Sequence, residues 1–80
     1  MPFLALNEGL AFFHNEFEIG WHQNFIENFM HNEENLLHVF NKANNETLGS
    51  LNGPVTFRQL ANFVKALKTE EAKYVDISQQ

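Results

Sequence analysis

Apolar residues between positions 24 and 41 recur at the spacing of an α-helix. At 100° per residue they fall within one half of the helical wheel, while His31, His38 and neighbouring glutamates occupy the other half. The apolar set is Phe25, Ile26, Phe29, Met30, Leu36, Leu37, Val39 and Phe40. The pattern predicts an amphipathic helix over residues 23–41 with an acidic, histidine-bearing outer face.

Glu33 interrupts the apolar side of this predicted helix. One interpretation is a break near Asn32, whose side chain would cap a second helix that has Glu33 and Glu34 in its first turn. The other is that the helix continues and that Glu33 has a partner. The sequence leaves both open.

The first segment of the chain carries two competing patterns. Leu6, Leu10, Phe13 and Phe17 are spaced as on a helix, which favours a helix over residues 4–18. Apolar residues also occupy odd positions from 13 to 21, as a half-buried strand requires, so residues 10–21 are open between helix and strand. In the helical interpretation Gly20 marks a turn, and the first two helices form an antiparallel hairpin.

A third helix is predicted over residues 56–69. Thr56 and Gln59 match a capping box, and apolar residues follow at helical spacing as far as Leu67. The connection before it is rich in Asn and Gly, with a turn signal at residues 52–54. Residues 47–51 are a candidate short strand. Residues 74–77 favour a strand that pairs with it or with a second copy of the chain, or else a tail.

These elements predict a mainly α fold: one domain over residues 1–80 with three helices and room for a short two-stranded β element, or alternatively an α+β arrangement. The chain has no cysteine, which excludes disulfides, zinc-thiolate sites and a cysteine nucleophile. Apolar runs do not exceed four residues, so we expect no signal peptide, no membrane span and a cytoplasmic location. A small core rich in Phe favours a homodimer, which would bury further apolar surface.

Charge is divided unequally along the chain. Residues 1–41 contain six glutamates and no Lys or Arg, for a net charge of −6, whereas residues 42–80 have a net charge of +1. Because summed charge steers association, the first half is expected to attract a basic surface. Alternatively, Arg58, Lys65 and Lys68 of the third helix neutralise the acidic half, within one chain or across a dimer.

Phe12 lies off the apolar side of the first predicted helix, near Glu8 and Glu16. Aromatic residues edged by carboxylates are typical of a patch that binds a basic partner. The alternative is that Phe12 belongs to the core of a helix whose phase differs from the predicted one. The predicted partner-binding residues are Phe12, Glu8, Glu16, Glu27, Glu33 and Glu34.

A metal site is the alternative use of the second helix. Glu27, His31, Glu34 and His38 share its outer face, and imidazole and carboxylate groups are ligands for Zn, Ni or Cu. However, Glu and His neighbours are common on polar helix faces, and the motif His-Glu-x-x-His is absent. The main prediction therefore includes neither a metal nor any other cofactor.

The sequence predicts a non-catalytic function. It contains no phosphate-binding loop and no Gly-x-Ser-x-Gly motif, so we expect no enzyme activity. Direct nucleic-acid binding is not expected either, because the net charge is −5. We expect a small acidic interaction protein whose partner has a basic, nucleic-acid-binding surface, by analogy with accessory and inhibitor proteins of phages and mobile elements. A structural subunit of a larger assembly is a further interpretation.

Overall fold

The computed structural model describes residues 3–78, with side chains for residues 3–75. Helices dominate, and one pair of short strands joins the beginning of the chain to its middle. In chain order the elements are β1 (Leu4–Ala5), α1 (Leu6–Phe12), α2 (His14–Gly20), α3 (Gln23–Phe25), a π-helical segment (Ile26–Met30), α4 (Glu33–Asn44), β2 (Pro54–Val55) and α5 (Phe57–Ser78). β1 and β2 are antiparallel, with Leu4 opposite Val55. The predicted fold class, mainly α with a small β element, is confirmed.

The predicted helix over residues 23–41 is divided at Asn32. The backbone there is extended, and the Asn32 side-chain oxygen accepts a hydrogen bond of 3.2 Å from the Asn35 N–H. Glu33 and Glu34 lie in the first turn of α4, where carboxylates interact favourably with the helix dipole. A continuous helix over this range is therefore wrong, and the predicted break is confirmed. Glu33 is exposed rather than packed into the apolar arc.

The first predicted helix is also divided, at Phe13. Residues 10–12 and 14–20 are helical, so the helical interpretation of this segment is confirmed over the strand. At Phe13 the backbone leaves helical geometry, with φ −93° and ψ 4°, which separates α1 from α2. α2 ends at Gly20, as predicted, and Trp21 is extended.

The predicted strand at residues 47–51 is wrong, because these residues form a loop. Asn41 holds the loop against α4: its amide group donates to the Leu48 carbonyl (2.9 Å) and accepts from the Leu48 N–H (2.8 Å). The carbonyls of Leu51 and Gly53 accept hydrogen bonds from the first turn of α1. The backbone groups of the loop are thus satisfied by a side chain and by a helix start rather than by a strand.

The third predicted helix begins where expected but is longer. Thr56 and Gln59 form the predicted capping box, with the Gln59 N–H donating to the Thr56 hydroxyl (3.1 Å) and the Thr56 N–H donating to the Gln59 side chain (2.9 Å). α5 continues to Ser78, so the predicted strand over residues 74–77 is wrong. Glu71, which is buried, and Tyr74 extend the inward-facing side of this helix beyond Leu67.

The core is centred on the contact between α4 and α5, which is the most extensive between helices. Phe40 and Phe63 meet there edge to face, with ring centroids 5.6 Å apart. The hydrophobic core consists of Leu6, Phe25, Leu36, Val39, Phe40, Val55, Leu60, Phe63 and Leu67. The antiparallel hairpin predicted for the first two helices is therefore not the main packing arrangement. Among the residues described, no helix is long and apolar enough to cross a bilayer.

Candidate functional site

A ladder of aromatic rings joins α2 to the π-helical segment. Phe13, Phe17, Trp21, Phe25 and Phe29 are four residues apart, and each ring centroid lies within 6.2 Å of the next. Offset and edge-to-face ring pairs of this kind contribute about 0.5–1.5 kcal/mol each beyond their buried area. The ladder therefore fixes how the first two helices are placed relative to the π-helical segment.

Between these elements lies a groove of about 560 Å³, which we call the acidic groove. Its apolar lining residues except Ala11 are buried or half-buried and form the floor, whereas its polar lining residues are exposed and form the rim. The floor residues are Leu10, Phe17, Ile26, Met30, Leu36 and Leu51. The rim residues are Asn7, His14, Glu18, Gln23, Glu27 and His31, together with the exposed Ala11.

The rim of the acidic groove carries negative charge. On one side the His14 Nε2 atom lies 2.8 Å from a Glu18 carboxylate oxygen. On the other side the Gln23 side chain donates a hydrogen bond of 3.0 Å to Glu27. No Lys or Arg is among the lining residues. With neutral histidines, the groove therefore presents two carboxylates above an apolar floor.

Among the described residues, the Lys and Arg side chains form no ion pair with the carboxylates of the acidic half. Within the described part of the chain, every lysine–carboxylate ion pair lies inside α5: Lys68 with Glu71 (2.7 Å) and Lys73 with Glu70 (3.5 Å). None joins a carboxylate of residues 1–41 to a Lys or Arg. Ion pairs within one chain therefore do not support the interpretation in which the third helix neutralises the acidic half, and neutralisation across a dimer stays a prediction.

Among the residues whose side chains are described, Glu71 is a buried charged residue, with 6% of its surface exposed. Its carboxylate accepts hydrogen bonds from the Lys68 ammonium and from the His22 N–H, and Lys68 also lies 4.7 Å from the centre of the Trp21 ring. Burial alone raises the pKa of Glu71, but the Lys68 and His22 interactions outweigh it, so this pKa lies below its ordinary value of 4.5. The cluster ties the start of α3 to α5.

The predicted partner-binding residues are distributed over several surfaces. Phe12 is 77% exposed, which confirms that it lies outside the core. Glu8 accepts a hydrogen bond from the Ala5 N–H and so stabilises the start of α1. Glu16 lines a separate shallow depression beside Ile19 and Trp21. Of the predicted set, Glu27 alone lines the acidic groove.

The alternative metal site is not assembled. Glu27 and His31 line the acidic groove, whereas His38 lines a different depression between α4 and α5, with Lys42 and Lys73. In the described residues no three His, Asp or Glu side chains are arranged to hold a metal ion. The break at Asn32 separates Glu27 and His31 from Glu34 and His38, since it places the two pairs on different helical segments.

Sequence reasoning missed most of the acidic groove. Leu10, Ile26 and Met30 lie on the apolar sides of the predicted helices, as expected, but they are half-buried at the floor of the groove. His14 and Glu18 are four residues apart, as i and i+4 contacts on a helix require, so their pairing was detectable in the sequence. Ile19 has 87% of its surface accessible. This exposure was not predicted, because residues 10–21 were open between helix and strand.

Comparisons with protein families, with curated proteins and with solved structures gave no match to this chain. The groove itself combines an apolar floor with hydrogen-bonding and negatively charged groups at the rim. This combination suits binding of a cationic, partly apolar group.

Proposed function

We propose that this protein is a small, acidic, non-catalytic interaction protein that binds a basic protein surface through its first half. The observation that carries the proposal is the charge arrangement: the glutamates of residues 1–41 form no ion pair with the chain's own Lys or Arg in the part of the chain the structure describes. In the proposed role it acts in the cytoplasm as an accessory or inhibitor protein and covers a nucleic-acid-binding surface. It does not bind nucleic acid itself.

Charge and apolar exposure both support this proposal. Carboxylates without an internal cation remain available to a partner, and complementary charge accelerates association and fixes its orientation. Phe12 and Ile19 are 77% and 87% exposed, and large apolar side chains of this kind supply much of the affinity of protein interfaces. The proposal includes a homodimer, which would add buried surface to a small core.

A capture experiment from extracts of the source cells, at low and high salt, tests this function. The immobilised wild-type protein should retain a basic protein at low salt and release it at high salt. A variant with Glu16→Gln, Glu33→Gln and Glu34→Gln should lose this partner, because it removes three exposed negative charges.

The matched control is a variant with three exposed cations neutralised, Lys42→Gln, Arg58→Gln and Lys65→Gln. It should keep the partner, since the acidic half is unchanged. The proposal fails if no captured protein is released by salt, or if the two variants lose the same protein equally.

A further inference from the structure

We propose that the acidic groove is the docking site for one amphipathic, basic α-helix of the partner protein. This inference rests on the proposed function and adds the site and the shape of the bound segment. The groove joins an apolar floor to a rim whose only lining charges, with neutral histidines, are carboxylates.

The two walls of the groove are helical stripes. On one wall Leu10, His14, Phe17 and Glu18 follow helical spacing along α1 and α2, and on the other Gln23, Ile26, Glu27, Met30 and His31 follow α3 and the π-helical segment. Each stripe covers nine residues, and eight steps of 1.5 Å along a helix correspond to about 12 Å. A trough of this length receives about two turns of a helix.

A helix suits this groove better than an extended peptide. An extended peptide must pair its backbone N–H and C=O groups, usually with the edge of a sheet. The groove is formed by helices, whose backbone groups are bonded within the helix, so it offers side chains rather than a strand edge. A bound helix satisfies its own backbone and needs only apolar side chains at positions i, i+3, i+4 and i+7.

The rim determines the charge of the bound helix. Glu18 belongs to α2 and Glu27 to the π-helical segment, and both line the groove, so we expect a helix seated on the floor to place Lys or Arg residues beside them. At Glu18 an incoming cation replaces the His14 imidazole, which now lies 2.8 Å away. An acidic helix would bring like charges together on both sides.

The floor is able to adapt to different apolar side chains. Met30 is half-buried at the floor, and methionine fills irregular spaces because its side chain is unbranched and polarisable. Ile26 beside it is also half-buried. The apolar floor supplies affinity, and the rim supplies selection for positive charge.

A defined probe tests the inference. The probe is a fluorescent 14-residue peptide, locked as a helix by a lactam bridge, with leucines on one face and lysines on both flanks. Fluorescence anisotropy should give a saturable Kd tighter than about 50 µM. A peptide of the same composition with its leucines spread around the helix, and a peptide with glutamates in place of the lysines, should each bind at least about tenfold more weakly.

Two pairs of protein variants locate the site. Ala11→Trp fills the groove from its exposed rim and should weaken probe binding at least about tenfold, whereas Ala61→Trp, at an exposed position on α5, should leave it unchanged. Glu18→Gln with Glu27→Gln should weaken binding about fivefold. Glu46→Gln with Glu70→Gln makes the same change of charge outside the groove and outside the acidic half, and it should have less than half that effect. Circular dichroism verifies that each variant is folded.

Several outcomes overturn the inference: no saturable binding of the basic helical probe, equal binding of the rearranged peptide, or equal effects of Ala11→Trp and Ala61→Trp. A dimer that Ala11→Trp dissociates in sedimentation experiments would instead assign the groove to a second copy of this chain. If the salt-sensitive partner is captured as proposed but the groove variants retain it, the proposed function stands and the groove inference alone fails. If no such partner is captured, the function fails whatever the probe does.

Discussion

The two halves of this molecule differ in the burial and ion pairing of their carboxylates. In α5 the carboxylates of Glu70 and Glu71 each have a lysine within 4 Å, and Glu71 is buried. In α2 and at the start of α4, Glu16, Glu33 and Glu34 are exposed, and none of them pairs with a Lys or Arg in the described residues. Carboxylates in α5 are thus paired with lysines, whereas those in α2 and at the start of α4 are exposed and have no such partner in the described residues.

The apolar residues follow the same division. α4 and α5 supply six of the nine residues of the central core cluster, whereas α1 and α2 expose Phe12 and Ile19 and leave an open groove beside them. Charges and large apolar groups that the fold does not use are available for binding. The comparison therefore assigns stability mainly to α4 and α5, and the exposed surface of the acidic half is the one that the proposed function uses.

The largest expected effect is on the free energy of unfolding, and it distinguishes Phe63 from Phe12. Phe63→Ala should lower the free energy of unfolding by about 3–5 kcal/mol, because Phe63 is fully buried between α4 and α5 and its removal leaves a cavity. Phe12→Ala should change it by less than about 0.5 kcal/mol, since Phe12 is 77% exposed. Urea denaturation followed by circular dichroism measures both. Equal losses would show that α1 is as much a part of the packed core as α5.

Glu71→Gln should have the next largest effect, a loss of about 1.5–3 kcal/mol of unfolding free energy. Glutamine keeps the shape of the side chain but loses the charge that Lys68 and the His22 N–H now bind. Glu70→Gln is the matched control, because the Glu70–Lys73 pair is longer and more exposed. It should cost less than about 1 kcal/mol. Equal costs would mean that burial at Glu71 adds nothing to the strength of its ion pair.

The Glu71 carboxylate also predicts a dependence of stability on pH. Since its pKa in the folded protein is lower than its ordinary value of 4.5, the stabilisation is fully present above about pH 4.5 and is lost as the pH falls through the folded pKa. Urea midpoints between pH 6 and pH 3 should therefore fall less steeply for Glu71→Gln than for the wild type. Parallel curves for the two proteins would show that other carboxylates cause the loss of stability at low pH.

Asn32→Ala should cost about 1 kcal/mol, because it removes the side-chain cap at the start of α4. Asn15→Ala, an exposed asparagine near the start of α2, should cost less than about 0.5 kcal/mol. The pair shows whether the break between the π-helical segment and α4 contributes to stability. Thermal unfolding temperatures that shift equally in both variants would contradict the role of Asn32 as a cap.

The sequence predicted those features of the fold that depend on neighbouring residues. The capping box of Thr56 and Gln59, the turn after Gly20 and the break at Asn32 all involve contacts within a few positions along the chain. The full length of α5 was not predictable in this way. Glu71 occupies a buried position and interrupts the apolar pattern, and it is tolerated there because Lys68 and His22 satisfy it.

Long-range contacts explain the remaining differences. β1 pairs with β2 across some fifty residues, and Asn41 holds the loop that was predicted to be a strand. The acidic groove requires residues from α1, α2 and the π-helical segment to come together, which no local pattern specifies. The shared face predicted for Glu27, His31, Glu34 and His38 required one continuous helix, whereas the chain forms a π-helical segment over Ile26–Met30 and a separate helix from Glu33.

The smallest expected effect concerns the histidines of the groove. Lowering the pH from 7.5 to 5.5 should weaken binding of the basic helical probe about threefold, because histidines as a class gain positive charge over this range. The groups that face each other there are His14, Glu18, Glu27 and His31. Of these histidines, His14 is in contact with a rim carboxylate, because its Nε2 atom lies 2.8 Å from Glu18.

His14→Gln should reduce this pH dependence, because it removes the rim histidine that lies 2.8 Å from Glu18. His38→Gln, which removes a histidine from the separate depression between α4 and α5, should leave the dependence as in the wild type. Tighter probe binding at pH 5.5 would reverse the sign of the interaction and would mean that the bound helix is not held by its cations. An equal response of both variants would show that the total charge of the first half, rather than the pair at Glu18, controls the affinity.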